Sequence, residues 1–194
     1  MKIAYGLKAH SGWAALVALG RADGDYVVVD RRRVELVEEE WAKQPYHAAE
    51  ELKPDAARKL VKRGIDSAHR IAIRELRRAV TEERRRKNEV TACAVLVGNQ
   101  MPDWNVEQIL AVHFRMHQAE GVLFRDALIY AAKECGVKVI EVPEKTLSSY
   151  AEQSLGVPFS NLSKTLSALG RHAGPPWGRD QKDAALAAMI ALRK

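Results

Sequence analysis

The sequence predicts an α/β protein built on one mixed sheet, three antiparallel strands followed by two parallel ones, with helices on both faces. Three observations carry this. Residues 2–37 hold strand-like stretches separated by tight turns, the remainder alternates apolar runs of strand length with helical periodicities, and no composition shift or linker divides the 194 residues. One domain spanning residues 1–194 is expected.

The elements follow in order. Residues 2–8 and 12–19 are apolar stretches joined near Gly12, and Asp23-Gly24-Asp25 is a turn leading to a third strand through Tyr26 to Asp30 and Val34 to Val37. Glu38 to Pro54 is polar and irregular, with Trp41, Pro45 and Tyr46 as docking points. A long helix begins after Pro54-Asp55, with Leu60, Ile65 or Ala68, Ile71, Leu76 and Val80 on one stripe and Gly64 as its weak point. Val90 to Val97 is a continuous apolar run ending at Gly98-Asn99, the pattern of a strand buried on both faces in the middle of a sheet. Residues 105–135 read as one long helix through Ile109, Val112, Met116, Leu123, Ala127 and Tyr130 or Ala131, stopped by Gly136. Val137 to Val142 is the next strand. Helical pieces around Leu147–Ser154 and Leu162–Leu169, a loop from Gly170 to Gly178 and an Ala-rich helix from Asp180 to Leu192 complete the chain.

Composition excludes several classes. No apolar run approaches the roughly 20 residues that span a bilayer, and the first residues lack the pattern of a secretory signal, so a cytoplasmic protein without a membrane partner is expected. Cys93 and Cys135 have no metal-type spacing and read as buried free thiols. The net charge of +6 is local: Arg58 to Lys87 carries 12 Lys/Arg against four acids, a balance of +8, leaving −2 for the rest. Such a segment is either the footprint of a phosphate backbone or a solvated helix face. Arg84, Arg85, Arg86 and Lys87, closing that helix, are the candidate phosphate contacts, and they also complement its dipole.

Three stretches, the Gly6 to Leu19 hairpin, the run from Gln118 to Ala132 and the closing Asp180-Gln-Lys-Asp-Ala-Ala-Leu-Ala-Ala, together with the order of elements, resemble the RuvC-type resolvases of the ribonuclease-H-like superfamily. The resemblance implies a nuclease in which acids from the first strand, the end of the central strand and the last helix hold two divalent metals, Mg²⁺ or Mn²⁺. Ions about 4 Å apart need several converging carboxylates. Asp180 and Asp183 match the final pair. The first strand instead presents Tyr5, Gly6, Leu7 and Lys8, and the central strand ends Leu96-Val97-Gly98-Asn99-Gln100.

Glu120, on the helix following the central strand, resembles a helix Glu that is a metal ligand in the ribonuclease H branch of the superfamily, and the resemblance therefore implies Glu120, Asp180 and Asp183 as the candidate catalytic and metal-binding set. His113, His117 and Glu120 share one helix face at i, i+4, i+7 and are a weaker metal candidate, open beside ordinary polar packing. Lys8 and His10 suggest a site changed from gripping metal towards gripping an anion. Two functional readings result: a DNA- or RNA-binding protein with a degenerate metal site and no cofactor, contacting phosphates through Lys8, His10 and the Arg84 to Lys87 cluster, or a divergent metal-dependent endonuclease. A third is a non-catalytic interaction module, with Phe114, Phe124 and Tyr130 as apolar surface for a homodimer.

Overall fold

A computed structural model describes residues 1–193. Five strands form a single sheet: β1 (Lys2–His10), β2 (Trp13–Ala22), β3 (Asp25–Glu35), β4 (Glu89–Val97) and β5 (Lys138–Pro143), in spatial order β3-β2-β1-β4-β5. The β1/β2 and β2/β3 pairs are antiparallel; the β1/β4 and β4/β5 pairs are parallel. This is the expected mixed sheet. The central strand is β1; β4 lies inside the sheet between β1 and β5.

Helices α1 (Pro54–Arg85), α2 (Val106–Leu110), α3 (His113–Glu134), α4 (Leu147–Leu155), α5 (Phe159–Ala173) and α6 (Arg179–Arg193) cover both faces. Side chains alternate across a strand, and this divides the interior in two. Ile3, Tyr5 and Leu7 with Cys93 and Val95 pack against α1 and α3, whereas Ala4, Ala92, Ala94, Leu96, Ile140 and Val142 pack against α4, α5 and α6. At about 1.5 Å per residue α1 runs to nearly 50 Å, longer than the sheet it crosses.

The helix expected over residues 105–135 is two helices. Asn105 caps α2 through a reciprocal pair with Gln108, and Val112 is extended (φ −141°, ψ 111°), so the chain turns before α3 begins. Val112 is consequently exposed instead of lying on the apolar stripe. Phe124, expected at the surface, is 1% exposed and belongs to the core, because it shares a helix face with Ala127, Leu128 and Ala131. Phe114 and Tyr130 remain outside, Tyr130 stacked on His69. Both cysteines are free thiols; burial pushes the Cys93 thiol up to about 12. No helix among the described residues is long and apolar enough to cross a membrane.

Candidate functional site

The site lies at the C-terminal edge of the parallel strands, where open α/β sheets generally present ligands. Its geometry starts at Gly6. A Cβ on Gly6 would stand 1.8 Å from the Ala184 carbonyl oxygen, so the missing side chain lets α6 lie directly on β1. Lys8 is two residues further along the same face, and Asp183 immediately precedes Ala184. The close crossing therefore brings Lys8 Nζ to 2.6 Å from Asp183 Oδ2. Asp180, one turn earlier on α6, lies 3.3 Å from the same nitrogen.

A third carboxylate completes the group. Ile140 and Val142 face α6, and Glu144, the next even-numbered residue, comes just beyond β5 with its backbone N–H bonded to the Val97 carbonyl at 2.9 Å. Glu144 Oε1 lies 3.4 Å from Lys8 Nζ, and its other oxygen accepts from Arg125 of α3 at 3.2 Å. The Arg125 guanidinium also covers Gly98, where a Cβ would stand 2.5 Å from Nη1. A glycine at this strand end thus makes room for a cation.

Lys8 has a side chain 7% exposed, enclosed by three carboxylates at 22–29%. Burial opposes its charge, but the hydrogen bond and charge of Asp183, the charge of Glu144 and the hydrogen bond of Asp180 outweigh that and hold its pKa above the ordinary lysine value. His10 Nε2 lies 3.2 Å from Asp180 Oδ2, out of hydrogen-bonding alignment, and its ring stacks on Trp13 with centroids 4.3 Å apart. Trp13 is half-buried and also carries the Arg33 guanidinium 3.9 Å above its ring. Arg179 adds a peripheral charge 3.7 Å from Asp183. Lys8 and Arg125 leave one formal negative charge among the three carboxylates, and Arg179 cancels it.

The N-terminus of α6 is fixed from outside the group. Arg31 of β3 donates to the carbonyls of Gly174, Pro175 and Pro176 at 2.5, 3.0 and 2.7 Å, and Trp177 Nε1 donates to the Leu166 carbonyl at 2.9 Å. These bonds tie the loop before α6 to the sheet and to α5.

Glu120 does not join Asp180 and Asp183. It belongs to α3, on the sheet face opposite α6, and is 4% exposed with both carboxylate oxygens on His47 Nδ1 at 2.9 and 2.8 Å. His113 and His117 gather there too, so the expected face of histidines and Glu120 is a separate cluster completed by His47. The Arg84 to Lys87 cluster is distant as well. It ends α1 beside Met1, whose amino group donates to the Lys87 carbonyl, and from Met1 to Lys8 the strand climbs roughly 20 Å. Lys8 therefore stands well away from that cluster, and its ammonium is paired with Asp183, Asp180 and Glu144. Arg86 is partly committed to the buried Glu83 at 2.8 Å. A broader basic stripe appears in its place: Arg70, Arg74, Arg77, Arg78 and Arg85 line one side of α1 around a groove of about 950 Å³.

The strand order, the long parallel crossover through α1 and the closing helix over β1 define a ribonuclease-H-like fold of the RuvC type. Two solved structures share it: Thermus thermophilus RuvC (TM-score 0.51, 14% identity, 98% of this chain and 93% of that one) and T. thermophilus RuvC in complex with Holliday junction substrate (TM-score 0.52, 14% identity, 100% and 94%). No protein-family model and no curated protein matches the chain.

Proposed function

We propose that this protein binds nucleic acid on a RuvC-like scaffold without hydrolysing it, Lys8 taking the place of the divalent cation. The observation that carries the reading is the Lys8 ammonium within 3.4 Å of Asp183, Asp180 and Glu144. Carboxylates hold Mg²⁺ or Mn²⁺ when their charge is not already cancelled. Here Lys8 and Arg125 cancel most of it, so the residues present do not fit a two-metal centre. Neutralisation has a second consequence: three bare carboxylates would repel a phosphate backbone, and an internal ammonium relieves that repulsion without a metal.

The basic side of α1 supplies the attraction. Arg84, Arg85 and Lys87 with Arg70, Arg74 and Arg77 are the proposed phosphate contacts, and the exposed pairs that Arg70 and Arg74 make with Glu38 exchange cheaply for phosphate. The T. thermophilus RuvC of similar fold has been solved on a Holliday junction substrate, which makes a four-way DNA junction the first ligand to test. The divergent nuclease is the second reading, favoured by the convergence of Asp180, Asp183 and Glu144; it needs Lys8 to swing out.

The test is fluorescence anisotropy with a labelled four-way junction and a matched duplex between about 50 and 200 mM salt, with Mg²⁺ incubations resolved on denaturing gels. The reading expects binding that weakens steeply with salt, by a log–log slope near 0.9 per phosphate neutralised, and no cleavage. Salt-indifferent or absent binding removes the nucleic-acid reading. Mg²⁺-dependent cleavage abolished by Asp183→Asn transfers the assignment to the nuclease.

A further inference from the structure

On the opposite face of the sheet, three histidines from two distant segments meet. His47 sits in a short 3₁₀ turn (His47–Ala49), and His113 and His117 occupy the first turns of α3. One ligand atom from each lies within 4.8 Å of the others, and His113 Nε2 stands 3.1 Å from His117 Nε2. The His47 ring is 5.1 Å from that of His113 and 4.7 Å from that of His117, centroid to centroid. Two nitrogens bound to zinc at ~2.0–2.1 Å in a tetrahedral site stand roughly 3.4 Å apart. Side-chain adjustments of an ångström or so close the site.

Glu120 is what distinguishes this group from a chance meeting of surface imidazoles. Its carboxylate is buried, accepts from the His47 backbone N–H at 3.2 Å and engages His47 Nδ1 through both oxygens. With Nδ1 held, Nε2 is the His47 nitrogen left for a metal. A carboxylate behind a ligating imidazole sets its tautomer and strengthens it as a donor. Placing a carboxylate in the interior is costly, and among the described residues the hydrogen bonds of Glu120 go to His47 alone.

We propose that His47, His113 and His117 bind one zinc-class divalent ion, with Glu120 as a positioning residue for His47. Three imidazoles and no thiolate select zinc and its borderline neighbours cobalt, nickel and copper, not Mg²⁺ or Ca²⁺. His113 and His117 are exposed, so the fourth coordination position faces solvent. The ion would fasten the irregular segment after β3 to the start of α3, beside a cavity of about 490 Å³ lined by Ser11, Trp41, Gln44 and His47. This proposal is independent of the Lys8 reading, since the two groups lie on opposite sheet faces.

The experiment titrates Co²⁺ into the tag-free, metal-stripped full chain, follows visible d–d absorption and then displaces Co²⁺ with Zn²⁺. One equivalent per chain with an intense low-symmetry spectrum is expected. His117→Ala and His113→Ala abolish that spectrum while melting as the parent does in EDTA, because both positions are exposed. Glu120→Gln keeps the stoichiometry and weakens affinity about 10- to 100-fold; unchanged affinity in that variant overturns its positioning role. Absence of a saturable equivalent in the parent, or an unchanged spectrum in His117→Ala, overturns the site itself.

Discussion

Lys8→Met keeps most of the length of the side chain and removes its charge. In the parent, Lys8 Nζ lies 2.6, 3.3 and 3.4 Å from Asp183, Asp180 and Glu144, with its own side chain 7% exposed. Removing one partner of a buried ion pair costs about 3–5 kcal/mol. The carboxylates retain 22–29% exposure, so water recovers part of that loss, and about 2–3 kcal/mol is the expected destabilisation. For a chain of this size each kcal/mol lowers Tm by about 2–4 °C, a fall of roughly 5–10 °C. The same substitution leaves three carboxylates with Arg125 as their main cation, a setting that accepts Mg²⁺. At ten times its Kd, Mg²⁺ would return about 1.4 kcal/mol, or about 3–5 °C. Thermal melts of parent and variant, each with and without Mg²⁺, make the assay. Mg²⁺ is preferred to Mn²⁺ because it avoids imidazole and so leaves the histidine cluster silent. Parent and variant melting together, or a parent that gains as much from Mg²⁺ as the variant, would refute the claim that Lys8 stands in for the cation.

Three further outcomes are expected. The difference in Tm between parent and Lys8→Met should stay flat through neutral pH and close in alkali: the folded-state pKa is raised, so the contribution is complete below the unfolded value of about 10.4 and lost as pH climbs through the folded one. Gly6→Ala should cost about 3 kcal/mol or more, measured by urea denaturation, because the new methyl meets the Ala184 backbone and not a movable side chain. Tyr5→Phe should stabilise the protein by about 1 kcal/mol in the same assay, since the Tyr5 hydroxyl is buried with no hydrogen-bond partner; a loss of stability would reveal a bound water or ion on that oxygen.

The sheet was legible because its signals are local. An apolar run from Val90 to Val97 bounded by Gly98, and a hairpin around Gly12, whose φ of +83° suits glycine, need only nearest neighbours to be read. The break at Val112 was hidden, since a residue apolar at helical spacing carries no mark that its backbone is extended. At the site, the i, i+3 pair Asp180 and Asp183 and the unusual Lys8 could be found separately. Their union depends on α6 lying on Gly6, a contact across more than 170 residues of chain. Glu144 and His47 had no signal at all: one follows Pro143 like any charge after a strand, and the other lies in an irregular segment.

That difference explains why the Lys8 group and the histidine group deserve opposite expectations. Lys8 and Arg125 reach their carboxylates from β1 and α3, at positions where Gly6 and Gly98 remove side-chain bulk and allow the approach. Opposite charges are paired within the protein, and on the proposed reading these pairs leave little for an external ion. Among the histidines the arrangement is reversed: Glu120 is spent on His47 Nδ1, while His113 and His117 bring two ring nitrogens within 3.1 Å of each other. In that pair one nitrogen donates and the other accepts, and moving the shared proton to a ring Nδ1 frees both Nε2 lone pairs for one divalent ion. If both proposals hold, a metal carried by the chain sits on the α3 face, away from the Lys8 carboxylates.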